Sequence, residues 1–233
     1  MEKVSIVIPV FNEAKTILKV IQAVESVEIE GLKKEIVIID DFSTDGTRDI
    51  LKGLQNPQYK ILMQDKNYGK GAALRKGFSI ATGDYIIIQD ADFEYDPNEY
   101  PILLNPLISG KADVVYGSRF VGDKPHRVLF FWHYVGNRIL TLFSNIFTGL
   151  NLTDMETCYK SFTRQALRSF SSNLKSNRFT IEPEITAQIA KKKLRIYEVG
   201  ISYYGRTYEE GKKIGIMDGF SAIWAIIKFN LFS

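Results

Sequence analysis

Gly83-Asp84-Tyr85-Ile86-Ile87-Ile88-Gln89-Asp90-Ala91-Asp92-Phe93-Glu94 is the stretch on which the reading of this chain turns. Tyr85 to Ile88 is a run of β-branched and aromatic residues, the pattern of a buried strand. The apolar pattern then stops, and Asp90, Asp92 and Glu94 follow at alternate positions. Carboxylates crowded at the carboxyl end of a buried strand repel one another and are costly to desolvate unless a cation sits among them. Oxygen-only ligands suit a hard divalent ion, Mg2+ or Mn2+, which commonly takes substrate phosphates as further ligands. A lone D-x-D reads equally well as a solvated acidic loop, so its surroundings carry the argument.

Before this stretch, strand and helix patterns alternate. Val4 to Val10 is a continuous apolar strand ending in Pro9-Val10-Phe11-Asn12-Glu13. Asn12 is placed to cap a following helix, whose Ile17, Leu18, Ile21 and Val24 fall at helical spacing. Glu35 to Ile39 is a second buried strand, ending in Asp40-Asp41-Phe42-Ser43-Thr44-Asp45-Gly46-Thr47. Lys60 to Met63 is a third, ahead of Asn67-Tyr68-Gly69-Lys70-Gly71-Ala72, a loop opening a helix. This rhythm predicts a parallel sheet covered on both faces, with ligands beyond the carboxyl ends of its strands. The polar clusters all fall at that edge, which would make them one site. Each also has a plainer reading: Ser43 to Gly46 is good turn chemistry, and Gly69 and Gly71 match neither a P-loop nor a dinucleotide fingerprint.

The 233 residues are 45% hydrophobic and 24% charged, which bounds the chain to one large domain or one with a small appendage. A net charge of +3 offers no argument for nucleic acid as a partner. The single cysteine, Cys158, excludes an internal disulfide framework, fits a reducing compartment and reads as a packing residue. Met1 to Ser5 enters a strand with no leader-like apolar run, and Asn151-Leu152-Thr153 is then a chance sequon. No window holds roughly 18 uninterrupted apolar residues, so no spanning helix is expected.

Taken in order, Pro9 to Glu13, Asp40 to Thr47, Asn67 to Ala72 and Asp90-Ala91-Asp92 resemble the inverting family-2 glycosyltransferases. The likeness covers the N-terminal half and is specific as a set. It implies a GT-A fold: α/β, a mostly parallel Rossmann-like sheet flanked by helices. It implies too that Pro9, Phe11, Glu13 and the Asp40-Asp41 pair hold the nucleoside of a nucleotide-sugar. Asp90-Ala91-Asp92 is then the D-x-D at the donor, with Asp92 on the metal. Within the family the chain looks most like dolichyl-phosphate mannose synthases and their bacterial polyprenyl-phosphate relatives. Those carry D-A-D-x-Q, whose glutamine reaches the metal. Glu94 stands at that place here; it is expected on the metal beside Asp92, adds negative charge, and leaves metal and donor preference open.

In the second half, Asp113 to Phe120 reads as a strand ending in Gly117-Ser118-Arg119. An arginine at the same edge can pair bidentately with phosphate, although a single Arg is more often a surface residue. The synthases have Gly-Ser-Arg here, which makes Arg119 a candidate for the donor diphosphate or the acceptor phosphate. Arg127 to Leu150 is apolar but broken by polar residues, as an amphipathic helical region would be. The family carries a further basic residue for the lipid phosphate here, and Arg127 and His133 both fit. The synthases' Asp-x-x-x-Gly-Phe is replaced by Asp154-Met155-Glu156-Thr157-Cys158-Tyr159, which resembles the Asp-x-Glu-Thr of polyprenyl-phosphate glycosyltransferases of the glucosyl type. Asp154 and Glu156 then contact sugar hydroxyls, or else cap a local turn.

Phe179 to Lys191 reads as a helix, and Arg195 to Tyr204 as a strand running into the charged loop Gly205 to Lys213, a candidate lid. Arg206 and Lys212 match the family's arginine with a lysine six residues on, two cations suited to a phosphate. The expected domains are a catalytic unit over 1–213, with a nucleotide-sugar half 1–120 and an acceptor half 121–213, and an amphipathic C-terminal helical tail over 214–233. That tail packs on the core, meets a membrane-protein or homo-oligomer partner, or lies in a membrane interface with Lys228 up.

The expected activity is metal-dependent inverting transfer of a hexosyl group from a GDP-mannose or UDP-glucose type donor to a dolichyl or undecaprenyl phosphate. The catalytic set is Asp92, Arg119, Arg206 and Lys212. The acceptor-phosphate set is Arg119, Arg127, His133, Arg206 and Lys212. A lipid phosphate is already anionic and needs cations, whereas a sugar hydroxyl needs a general base near pKa 7, for which Asp154, Glu156 and Glu182 are the suggestive carboxylates. The other open readings are such a hydroxyl acceptor and a non-catalytic nucleotide-sugar-binding subunit. The expected location is cytoplasmic, peripheral at the membrane face.

Overall fold

The computed structural model describes residues 1–233 apart from 129, 208, 211–214 and 233. Its first half alternates β1 (Glu2–Val10), α1 (Ile17–Ser26), β2 (Leu32–Asp40), α2 (Thr47–Lys52), β3 (Tyr59–Met63), α3 (Lys70–Ile80) and β4 (Tyr85–Ile88). The second half adds α4 (Tyr100–Ile108), β5 (Val114–Ser118), α5 (Phe131–Thr148), β6 (Lys160–Thr163), α6 (Arg164–Phe170), α7 (Ile181–Lys191), β7 (Ile196–Gly200) and α8 (Ile216–Leu231).

The strands form a seven-stranded sheet in the order β3-β2-β1-β4-β6-β5-β7. Only β6 runs against its neighbours, β4 and β5; the remaining pairings are parallel. The mostly parallel sheet of the sequence reading is therefore present. Successive side chains of a strand point to opposite faces, and the core divides accordingly. Ile6, Ile8, Ile36, Ile38 and Ile87 pack on one face with α1 and α4, while Val7, Val37, Ile39, Ile86 and Ile88 pack on the other with α3 and α7. Strands buried on both faces must be apolar throughout, which is why they were legible as continuous runs.

The register sets the functional edge. Val10 stands opposite Asp40, and Asp40 opposite Met63, so β1, β2 and β3 end level with one another. β4 is in register with β1, Val7 opposite Ile88, so Asp90 to Glu94 emerge at the same edge.

Some boundaries differ from expectation. Asn12 does not cap α1, which begins at Ile17. It sits at φ 53° and instead accepts from the Thr44 amide at 2.8 Å, tying the loop after β1 to the loop after β2. β5 stops at Ser118 and β7 at Gly200, short of the expected Phe120 and Tyr204. Gly200 packs directly against the Val121 carbonyl, where a Cβ would not fit, and beyond it Tyr203 keeps only a bridge to His126. β6 was not anticipated; Lys160 to Thr163 is too short and too polar to show a strand period.

The C-terminal helix α8 packs on α5 and α7. Ala222, Ala225, Ile226 and Phe229 are buried, one stripe at helical spacing, while Phe220 and Trp224 are 62% and 61% exposed. The neighbouring α5 leaves Trp132, Leu142 and Ile146 exposed as well. Among the described residues no helix is long and apolar enough to cross a membrane.

Candidate functional site

A cavity of about 330 Å3 opens beyond the carboxyl ends of β1, β2, β4 and β5. Pro9 lines it at the end of β1, Phe11 and Glu13 just after that strand, Asp41 after β2, and Asp90, Ala91, Asp92 and Glu94 after β4. Arg119 enters after β5, and Arg206 from the loop after β7.

At the β2 end, the Asp41 carboxylate accepts from the Tyr68 amide at 2.8 Å, the Gly69 amide at 2.7 Å and Gln64 Nε2 at 2.8 Å. Burial pushes its pKa up, and the two backbone amides oppose that rise. Asp40 does not line the cavity. It is buried beneath the turn, accepts from the Phe42 and Ser43 amides and pairs with Arg48 at 3.3 Å. Its role is to hold the turn that presents Asp41. Gly69, at φ 99°, and Gly71 start α3 where residues 176–178 press against it; a Cβ on Gly71 would lie 2.5 Å from the Ser176 carbonyl oxygen. These glycines are required by that close approach.

The acidic end is a network. Asp90 pairs with Lys70 Nζ at 2.7 Å. Asp92 pairs with Arg206 Nη2 at 3.1 Å, and the same guanidinium reaches Glu13 at 3.2 Å through both Nη atoms. Glu94 accepts from Tyr203 Oη at 2.8 Å and from the Arg206 amide at 2.7 Å. Burial, then the charges of Asp90 and Glu94, push the Asp92 carboxyl up to about 7, against the pull of Arg206. A carboxyl so placed gains from any cation brought to it.

The donor set fits a divalent ion on those grounds: oxygen ligands only, with crowded negative charge. Asp92, with Glu94 beside it, would hold the ion. Among the described residues no group of three carboxylate, histidine or cysteine side chains is arranged to hold a metal unaided. One or two carboxylates, completed by phosphate oxygens, is the usual arrangement for a phosphate-bound Mg2+.

The wall from the second half is built on ion pairs. Arg119 Nε and Nη2 each donate to Asp154 at 2.7 Å, a bidentate pair that leaves Nη1 uncommitted to that carboxylate. The guanidinium also lies 5.1 Å above the Tyr203 ring. Lys160 is fully buried and donates to Glu182 and to the Thr157 carbonyl. Lys70 Nζ, besides Asp90, donates to Cys158 Sγ at 2.7 Å. Glu156 faces the cavity, and its buried Oε1 has no hydrogen-bond partner.

Of the remaining expected residues, Arg127 lies outside the cavity lining and braces the loop after β7, donating to the Gly205 carbonyl at 3.1 Å and to Glu210 at 2.7 Å. His133, in the first turn of α5, is also outside it, with its ring 5.3 Å from that of Phe130. Lys212, with 208, 211 and 213 of the expected lid, falls outside the described residues. Sequence reasoning did not pick out Lys70, Tyr95, Arg178 or Tyr203, which also line the cavity, and Cys158 does so rather than merely packing. Lys70 stood inside a quoted motif, and its charge beside two glycines was the available signal.

The family model described as Glycosyl transferase family 2 matches residues 5–170, well over half of the chain. The low-salt glycan biosynthesis hexosyltransferase Agl6 of Haloferax volcanii is 32% identical over 232 residues, 97% of this chain and 52% of its own. This chain thus spans about half the length of that relative. The UDP-N-acetylglucosamine–dolichyl-phosphate N-acetylglucosaminyltransferase of Methanococcus voltae is 25% identical, over 97% of this chain and 95% of its own. Among solved structures, glucosyl-3-phosphoglycerate synthase from Mycobacterium tuberculosis, in complex with Mn2+, uridine-diphosphate and phosphoglyceric acid, superposes with a TM-score of 0.75. That match covers 100% of this chain and 80% of the synthase at 19% identity, a likeness of fold. The same synthase with Mg2+ and uridine-diphosphate gives a TM-score of 0.73 at 20% identity, covering 98% of this chain and 79% of its own.

Proposed function

The chain belongs to glycosyl transferase family 2, and on that premise we propose that it transfers a hexosyl group from a nucleotide-sugar to a polyprenyl phosphate with inversion. The observation that carries the acceptor is the convergence of Arg119 and Arg206 on the cavity that also holds Asp90, Asp92 and Glu94. The diphosphate leaving group and a phosphate acceptor are both anions, and they approach only where cations screen them. The Methanococcus relative, named for a dolichyl-phosphate acceptor and matched over almost its whole length, supports the same reading.

Phe11 and Asp41 are assigned to the nucleoside and the D-x-D level to the diphosphate. Mg2+ or Mn2+ on Asp92 and Glu94 would neutralise charge developing on the departing diphosphate; the metal-bearing structures of the fold neighbour support such a cofactor. Arg119, held by Asp154, presents a fixed guanidinium to the incoming phosphate. Arg206, paired with Glu13 and Asp92 at the cavity, is the second cation assigned to phosphate. A lipid phosphate is ionised at neutral pH and requires no base to activate it. The exposed aromatic and aliphatic faces of α5 and α8 are assigned to a membrane surface, which an enzyme drawing on a polyprenol must reach.

A hydroxyl acceptor is favoured by one observation: burial, then the charge of Glu182, push Glu156 up to about 7, in the range of a general base. The two readings separate in one assay. With Mn2+ present, radiolabel from UDP-glucose, UDP-N-acetylglucosamine or GDP-mannose should enter dolichyl or undecaprenyl phosphate with wild-type protein and not with Asp92→Asn. Transfer to saccharide hydroxyls in its place would refute the phosphate reading. An α-linked donor should give a β-linked product by NMR.

A further inference from the structure

The two arginines of the cavity arrive by different routes. Arg119 follows β5 directly, at the level where Ser118 stands opposite Gly200 of β7. Arg206 comes after β7 has ended, in a stretch without helix or strand. The β5–β7 ladder, which stops at Gly200, therefore does not set the distance between them. Tyr203 connects them. Its ring lies 5.1 Å from the Arg119 guanidinium carbon and 5.4 Å from the Tyr95 ring, and its Oη donates to Glu94 Oε2 at 2.8 Å. Glu94 Oε1 accepts from the Arg206 amide at 2.7 Å, and the Glu94 carbonyl accepts from the Tyr204 amide at 3.0 Å. Glu94 thus grips Tyr203, Tyr204 and Arg206, and Tyr203 carries that grip across to Arg119.

Packing alone does not account for this placement. A tyrosine that only filled space beside Tyr95 would need no hydroxyl aimed at a carboxylate in a cavity that Tyr203 itself lines. The Tyr203 backbone is held separately: its amide donates to the Pro125 carbonyl at 3.2 Å, and its carbonyl accepts from the Arg127 amide at 2.8 Å. The side chain is therefore not what anchors this segment, and its contacts act on the site. A hydroxyl on a carboxylate is a charge-assisted hydrogen bond, and a guanidinium over an aromatic ring is attracted to its face. Neither contact blocks an ion, since each carboxylate oxygen has a second lone pair.

We propose that Tyr203 is a positioning residue for the transfer: with its hydroxyl on Glu94 and its ring against Arg119, it fixes the spacing of the two guanidiniums across the acidic end. This rests on reading the cavity as a site where a donor diphosphate meets an acceptor phosphate. Two anions that must approach in line need their screening charges at a set separation, and a displacement of about 1 Å can cost roughly 10²-fold in rate. Tyr203 acts through Arg119 and the Arg206 loop rather than on the phosphates themselves. Glu94 then has a task besides any ion: it ties the loop after β7 to the D-x-D.

Tyr203→Phe keeps the ring and removes the hydroxyl; Tyr203→Leu removes both contacts. In protein without metal or nucleotide, hydrogen exchange at the Tyr204 and Arg206 amides, read by NMR, reports the Glu94 grip directly. Tyr203→Phe should speed it about tenfold, the size of one hydrogen bond to a charged group, while amides of β1 and β4 keep their wild-type rates. Transfer is then measured with Mn2+, dolichyl or undecaprenyl phosphate, and whichever of UDP-glucose, UDP-N-acetylglucosamine and GDP-mannose the wild type uses. The kcat should fall about tenfold in Tyr203→Phe and about 10²-fold in Tyr203→Leu, with donor KM within about twofold of wild type. Tyr203→Phe that matches wild type in exchange and in kcat overturns the proposal, since the ring then merely packs. Faster exchange across the whole sheet overturns it in favour of a fold-wide role. Faster local exchange with unchanged kcat breaks the link to transfer, and a lower kcat with unchanged exchange makes Tyr203 a substrate contact instead. Wild type that transfers to neither polyprenyl phosphate refutes the acceptor reading itself, a result independent of Tyr203, and with it the phosphate role given to this residue.

Discussion

Arg206 Nη2 lies 3.1 Å from Asp92 Oδ2, with Glu13 3.2 Å from the same guanidinium and Glu94 Oε1 3.6 Å from its Nε. The chain thus brings its own cation to the acidic cluster, from a position 114 residues beyond Asp92. A divalent ion that takes Asp92 competes with this guanidinium for the same oxygens. We predict that Arg206→Ala binds Mn2+ alone more tightly, by about tenfold for removal of one competing unit charge in a partly screened site. Titration without nucleotide measures this. Equal or weaker binding would show that Arg206 does not compete there.

Asp92→Asn keeps the shape of the D-x-D and removes the charge. Metal-dependent donor binding should disappear, and transfer should fall by about 10²-fold or more, the usual cost of losing one electrostatic element at a developing charge. Metal-independent nucleotide binding should persist. If the substitution leaves Mn2+ dependence intact, Asp92 is not the ligand.

Arg119 and Asp154 form a pair with Asp154 fully buried. Removing one partner of a buried pair strands the other charge, so Arg119→Ala should cost about 3–5 kcal/mol in urea unfolding. The double change Arg119→Met with Asp154→Leu should recover most of that loss while remaining inactive. A double variant no more stable than the single would mean that packing, not charge, dominates.

Glu35 predicts a pH dependence. Burial pushes its pKa up, but hydrogen bonds from Lys60, Ser5 and Thr82 outweigh that and bring it from 4.5 to about 2. A carboxylate lowered on folding stabilises the protein above its unfolded pKa and loses that stabilisation as pH falls through the folded value. Glu35→Gln should therefore be about 2 kcal/mol less stable than wild type at pH 7, the size of a few charge-assisted hydrogen bonds after solvent screening. The gap should close between about pH 4.5 and pH 2. A constant gap over that window would exclude ionisation as its source.

On α8, Phe220 and Trp224 lie on the exposed side while Ala222, Ala225 and Ile226 hold the core. Phe220→Glu with Trp224→Glu should leave the melting temperature within a few degrees and reduce sedimentation with anionic liposomes several-fold. Undiminished sedimentation would remove this face from membrane contact.

Much of the fold was legible because doubly covered parallel strands must be continuously apolar. Val4 to Val10 and Tyr85 to Ile88 announce themselves locally, and so does the abrupt change to Asp90, Asp92 and Glu94. The same locality made Phe11, Asp41 and Asp92 readable as edge residues. Asp40 was not separable from Asp41, since which of two adjacent carboxylates turns inward depends on Arg48 and the backbone turn above it. β6 was hidden because its Ser161 sits between Ile87 and Val115, and pairing across so many residues leaves no period in Lys160 to Thr163.

The linear chain was sufficient to specify the sheet edge, the acidic motif and a supply of cations in the second half. Those follow from residue type and short-range spacing, each strand being set by its own side chains. Which cation meets which carboxylate is a matter of long-range packing. Arg206 reaches Glu13 across 193 residues, Lys70 meets Cys158 across 88, and Arg119 is claimed by Asp154. Glu156 is left facing the cavity because its neighbours are already paired. Charge interactions act through space and are blind to chain order, so the pairing that defines this site exists only once the sheet and its reversed strand have closed around it.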